Sequence, residues 1–284
     1  MQQLSGHTDG GSSALRSLGS RISRSGAQRV TAVQGPQCAL TRNPLYTVRW
    51  AVSPTEVREA QRLRYNVFGE ELGASLESLP SSLAGHDVDR FDPFCSHLIV
   101  RAAASDQRGQ VVATCRVLAP DAVKQVGGLY TESEFDLGPV RDLLPTTLEM
   151  GRVCVHPAWR DGLIVMAIWR AVGQQLAALK LDSVIGCSSV SVKDGGGFAV
   201  QLWNQLRAAY LVPEDRQILP RIALQLPQKP AAEVAIPPLI AGYLRCGGKV
   251  LGPPALDAVF ETADFPMMLN LADIPARYTK RIFG

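Results

Sequence analysis

The chain has 284 residues, 46% of them apolar, and a formal net charge of +3 at pH 7. That is ample apolar material for a packed core, in one large domain or two small ones. So mild a charge excludes a nucleic-acid binder driven by gross charge, while leaving room for a local basic face toward an acidic partner.

Residues 1–44 are rich in Ser, Gly and Arg without apolar periodicity, and read as a disordered leader. They lack an apolar h-region, so no secretory signal is read. An alternating strand is expected over 46–52. Ser53-Pro54-Thr55-Glu56 then opens a helix to about Glu71, as a capping box with proline in the first turn. Val57, Ala60, Val67 and Phe68 form its apolar face, and Arg64 lies on that face. An arginine on a buried face needs an anion, from either a protein carboxylate or a substrate carboxylate. A loop over 73–86 leads to Asp87-Val88-Asp89-Arg90-Phe91-Asp92-Pro93, where Asp89 and Asp92 are candidates to hold an ammonium or to pair with Arg64.

Two strands, 96–103 and 111–119, flank the hairpin signal Asp106-Gln107-Arg108-Gly109, and Arg116 sits within the second. A connector over 121–145 precedes the strand 148–157. A helix over 163–180 is apolar almost all round but interrupted by Arg170, Gln174 and Gln175. It reads as buried rather than membrane-spanning. A core strand over 183–190 and the triple glycine 195–197 follow. Next come an amphipathic helix, a strand over 217–224, a turn at 227–230 and a short helix over 236–247. Strands at 249–251 and 264–271 lead to a basic-aromatic helix over 274–283, with packing and a membrane surface as its two candidate partners. The six cysteines form no CxxC pair, which points to reduced thiols in a cytoplasmic protein without disulfides or a metal site. Mixed strands and helices around one sheet make the fold α+β or α/β, in one domain over 45–284.

The strand 148–157 carries the sharpest chemical signal. Glu149 and Arg152 lie in a run of buried type, bracketing Gly151. Charged residues in such a run need a partner or a task. A regular strand points them to opposite faces. A β-bulge at Gly151 would re-aim one of them and leave a backbone N–H unpaired. A buried ion pair at a strand end is the plain alternative.

Leu63-Arg64-Tyr65-Asn66-Val67-Phe68, then Asp89-x-Phe91-Asp92, Arg116 and Glu149-Met150-Gly151-Arg152 occur in an order that resembles the acyl-carrier-protein-dependent branch of the GNAT N-acyltransferase superfamily. That branch includes the acyl-homoserine-lactone synthases. Pro237-Pro238-Leu239-Ile240, Gly242-Tyr243-Leu244-Arg245, Asp264-Phe265 and Arg277-Tyr278 narrow the resemblance to the hemolysin-like proteins, to which bacterial L-ornithine N(α)-acyltransferases belong.

The resemblance implies a GNAT-like fold, a twisted mixed sheet flanked by helices. It implies transfer of a 3-hydroxyacyl group from acyl carrier protein to the α-amine of L-ornithine, the first step of ornithine lipid biosynthesis. No cofactor is then needed beyond the phosphopantetheine that the carrier brings. Glu149 is the candidate base, and Arg152, or Arg64, the carboxylate clamp. Arg64, Phe68, Asp89, Asp92 and Arg116 are candidate acceptor-side residues, and Arg160 and Gly162 donor-side ones. The coenzyme A pattern Arg/Gln-x-x-Gly-x-Gly/Ala is not present over 160–165, which favours a donor carrying only phosphopantetheine. The tryptophan of the lactone synthases is also missing after Phe68, which speaks against S-adenosylmethionine as acceptor. Another amine acceptor, as in a signal synthase, and a non-catalytic lipid- or carrier-binding protein are the competing readings.

Overall fold

The computed structural model describes residues 41–76, 83–103, 108–160, 162–225 and 233–283. Residues 1–40, 77–82, 104–107, 226–232, Asp161 and Gly284 lie outside that description, and with them part of the hairpin signal at 106–109 and the turn expected over 227–230. Strands are β1 (Thr41–Arg42), β2 (Tyr46–Trp50), β3 (Ser96–Ala102), β4 (Val111–Leu118), β5 (Phe135–Asp136), β6 (Thr147–Val155), β7 (Ser183–Ser191), β8 (Leu219–Pro220), β9 (Lys249–Val250), β10 (Ala255–Asp257) and β11 (Thr262–Asn270). Helices are α1 (Pro54–Arg64), α2 (Pro120–Val126), α3 (Tyr130–Glu134), α4 (Leu163–Leu179), α5 (Gly197–Tyr210), α6 (Pro238–Arg245) and α7 (Ala276–Phe283).

One sheet of nine strands runs β1-β2-β3-β4-β6-β7-β11-β10, with β9 also on β11. Within the leader expected over 1–44, Thr41 and Arg42 pair with Val48 and Thr47. Every pairing in this sheet is antiparallel except β6 with β7. That parallel ladder holds only over Thr147↔Ser183, Leu148↔Val184 and Glu149↔Ile185. Beyond it β6 stays on β4 as far as Val155↔Ala113, while β7 stays on β11 as far as Ser191↔Thr262. The two central strands thus part in the middle of the sheet and open a wedge.

Alternation along the strands builds the layers. In β4, Ala113, Cys115 and Val117 join the main core with α4 residues such as Ile168 and Val172. Leu118 joins a second cluster with Phe91, Leu129 and Phe135. The helix α7 packs against α4, and its Tyr278 lies on the main core. Packing is therefore the partner found for that face. No helix among the described residues is long and apolar enough to cross a membrane.

Two local expectations change. The helix that begins at Pro54 with the Ser53 hydroxyl accepting from Glu56 N–H is α-helical only to Arg64, then becomes a π-helix over Tyr65–Glu71. Such wide turns occur often at functional sites. The strand expected over 217–224 shortens to Leu219–Pro220. At the triple glycine, the Asp194 carboxylate accepts from Gly196 and Phe198 N–H at the start of α5.

Candidate active site

The wedge between β6 and β7 opens into a cavity of about 800 Å³. Its lining runs from Phe68, Phe91 and Leu118 on the α1 side to Val165, Pro238 and Leu239 on the α4 and α6 side. The π-helical turn borders it, and Phe68 meets Phe260 edge-on at 5.8 Å.

The bulge in β6 exists, but one residue later than Gly151. Thr114 pairs with Cys154 and Arg116 with Gly151, so Arg152 and Val153 together face Cys115. Arg152 takes the strain, with φ of 51°. A non-glycine residue in this left-handed region is uncommon and costs energy that its surroundings must offset. Here the offset is ionic: Arg152 Nε donates to Asp87 Oδ2 at 3.0 Å and Nη2 to Asp89 Oδ2 at 3.1 Å. Its guanidinium also lies 5.2 Å from the Tyr130 ring centre and 4.7 Å from that of Phe260. Gly151 itself is open: a Cβ there would meet nothing within 4 Å.

Behind Arg152 stands a network of three arginines and three aspartates. Arg64, 1% exposed, donates from Nε to Asp87 at 2.7 Å and from both terminal nitrogens to Asp92 at 3.0 and 2.8 Å. Arg116 donates to both Asp89 oxygens at 2.5 and 2.6 Å and to Asp92 at 2.7 Å. Burial alone would push the Asp89 and Asp92 carboxyls up, yet Arg116, with Arg152 on Asp89 and Arg64 on Asp92, holds both below the usual range. The cavity reaches Arg116 and Arg152 but not Arg64, Asp89 or Asp92. These last three lie behind the lining of that cavity. They fix the two guanidiniums that do face it, and the plain ion-pair alternative describes them. Asp87, fully buried, is the member that sequence reasoning passed over.

Glu149 points the other way, to α3. Its Oε1 accepts from Thr131 N–H and the Thr131 hydroxyl, both at 2.7 Å, and Oε2 from Tyr130 N–H at 2.9 Å. Burial pushes its carboxyl up against these three donors. A carboxylate has about four acceptor positions, so Glu149 keeps one for a ligand while lining the cavity.

A second acidic wall was not singled out from sequence. Asp257 and Asp264 line the cavity, and Asp257 Oδ2 accepts from the Tyr130 hydroxyl at 2.9 Å. Burial raises the Asp264 carboxyl to about 6 and that of Glu134 to about 7, each also lifted by its acidic neighbours. A signal was present: Asp264 interrupts an apolar strand as Glu149 does. At the rim, Arg160 Nη1 and Nη2 donate to Glu71 at 2.7 and 2.8 Å, and Gly162, with φ of 85°, precedes α4. The thiols of Cys95 and Cys154 face the cavity too, but burial pushes both up to about 12, so neither is a ready nucleophile.

Residues 63–170 match the acetyltransferase (GNAT) domain. The L-ornithine N(alpha)-acyltransferase of Rhodobacter capsulatus is 32% identical over 255 residues, covering 84% of this chain and 96% of its own. That of Rhizobium meliloti is 32% identical, covering 81% of each. Among solved structures, the AHL synthase LasI aligns with a TM-score of 0.48 at 12% identity, over 85% of this chain and 96% of its own. The sheet, the GNAT match and the full-length relatives agree: the chain is an N-acyltransferase of the GNAT fold and belongs to the family of the bacterial L-ornithine N(alpha)-acyltransferases.

Proposed function

We propose that this protein transfers a 3-hydroxyacyl group from acyl carrier protein to the α-amine of L-ornithine and yields lyso-ornithine lipid. The reading is supported above all by one observation: a single cavity joins an apolar arm, suited to an acyl chain, to a wall with charges of both signs, suited to an amino acid. The names of the relatives supply ornithine. The missing coenzyme A pattern at 160–165 supports a carrier-bound donor.

The amine attacks the thioester carbonyl carbon directly, so that a C–N bond forms and the C–S bond breaks. Glu149 takes the ammonium proton through its remaining acceptor position. Backbone N–H groups beside the bulge steady the oxyanion. The departing thiolate is a good leaving group and recovers a proton from solvent. Arg152 holds the substrate carboxylate through the N–H groups its aspartates leave over, those of Nη1 and the second of Nη2. Arg116 adds its positive field at the cavity wall. Phe68 closes the cavity beside the acceptor, and Arg160 and Gly162 meet the phosphopantetheine arm at the rim. The work is done in the cytoplasm, with peripheral contact to the membrane that receives the lipid.

The test is direct. Purified protein, 3-hydroxyacyl carrier protein and L-ornithine are combined, and the products are read by mass spectrometry. N-acylated ornithine is the expected result. Acylation of other amines with ornithine left untouched would overturn the acceptor, and binding without any turnover would overturn the enzyme reading of this site.

A further inference from the structure

We infer that Asp264 sets the choice of acceptor: with Asp257 and Glu134 beside it, its carboxylate receives the distal ammonium of a dibasic amino acid and so separates that class from neutral amino acids. This assignment rests on the acceptor reading above.

The argument starts from charge. Asp264 lies in β11 opposite Ser189 of β7, 2% exposed on the cavity wall. Its donors are the Thr262 hydroxyl at 2.8 Å and the Ser189 hydroxyl, both neutral. Asp257 accepts from Val259 and Phe260 N–H and from the Tyr130 hydroxyl, again all neutral. Among the described residues, no lysine, arginine or histidine forms an ion pair with Asp257, Asp264 or Glu134. The cation whose field reaches Asp264 and Glu134, Arg152, is already shared by Asp87 and Asp89. A buried carboxylate with no cation is costly, and folds keep such groups where a ligand supplies the missing charge.

Spacing then selects the ligand. Tyr130 acts as the ruler: its backbone N–H sits on Glu149 and its hydroxyl on Asp257. The base and the acidic wall therefore stand at opposite ends of one tyrosine. Arg152 lies over the ring between them. The site reads minus, plus, minus along the tyrosine. An amino acid with an α-ammonium, a carboxylate and an ammonium a few methylenes away carries the complementary order. A neutral amino acid leaves the acidic wall without its cation.

The experiment compares kcat/KM for L-ornithine and L-norvaline, which shares the carbon skeleton but lacks the distal ammonium, in the wild type, Asp264→Asn and Glu134→Gln. The Glu134 carboxylate makes no side-chain hydrogen bond among the described residues, so that variant keeps the test alive should Asp264→Asn fold poorly. The ornithine-over-norvaline ratio is expected to fall at least about tenfold in Asp264→Asn, through KM for ornithine, and by less in Glu134→Gln. A ratio unchanged in both variants overturns the assignment, as does an equal loss toward both amino acids. A wild type that acylates no ornithine overturns the acceptor reading itself, whereas ornithine acylation with an unmoved ratio overturns only the role of Asp264.

Discussion

Replacing Glu149 with Gln separates its two possible tasks, because the structure shows how much each is worth. The glutamine carbonyl keeps the two Thr131 donors, but its amide nitrogen then faces Tyr130 N–H, donor against donor. Losing one hydrogen bond to a charged acceptor costs about 1.5–3 kcal/mol. Some of that returns, since burial already disfavours the ionised form. A net loss of about 1–2 kcal/mol is expected, read as a lower urea midpoint. If the carboxylate is the base, kcat falls by about 10²–10⁴-fold as well, far beyond what so modest a destabilisation does to a protein that stays folded. The wild-type pH profile should show an acid limb above the ordinary glutamate range, because burial raises this group. Glu149→Gln should abolish the limb. Thr131→Val removes one stabilising donor but keeps the carboxylate, so it should move the limb to higher pH. A folded Glu149→Gln protein with more than about half the wild-type kcat would refute the base assignment and leave Glu149 as the group that orients α3.

Other outcomes follow from the same geometry. Arg64→Leu strips Asp87 and Asp92 of a buried partner and should cost about 3–5 kcal/mol in urea unfolding; a loss under about 1 kcal/mol would contradict the network. Gly186→Ala should be destabilising by about 1–3 kcal/mol or more, since its Cβ would stand 2.3 Å from the Met150 carbonyl oxygen where β6 and β7 part. Gly151→Ala, with nothing within 4 Å, should melt like the wild type; the reverse ranking of the two would be inexplicable here. Stability should also fall as pH rises from about 4 to 6. Asp264 goes from an ordinary 3.8 to about 6 in the fold, so its contribution is full below the unfolded value and lost as pH passes the folded one. At roughly 1.4 kcal/mol per pKa unit this amounts to about 3 kcal/mol. Below about pH 4 the depressed Asp89 and Asp92 work in the opposite direction. Urea melts across pH 4–8 check this, and Asp264→Asn should flatten the decline; a rise in stability from pH 5 to 8 would contradict it.

Much was legible along the chain, because it is written in local pattern. Alternation located β2, a hairpin signal located β3 and β4, the Ser53–Glu56 cap located the start of α1, and a largely apolar stretch located α4. The odd charges Arg64, Arg116, Glu149 and Arg152 announced a buried polar centre, since such residues are not spent in a core without reason. What pattern cannot carry is partnership. Nothing in the residues around Glu149 says that its carboxylate turns to the N–H groups of Tyr130 and Thr131, nineteen and eighteen positions away. Nor does the spacing of Asp87, Asp89 and Asp92 say which faces which arginine, or that the strained residue of the bulge is Arg152 rather than Gly151. Those choices depend on where β6 leaves β7 and which distant segments close around the gap. Sequence determined which groups need partners; only the three-dimensional chain decided who the partners are, because ion pairs and strand departures are settled by contacts between segments that the local code never compares.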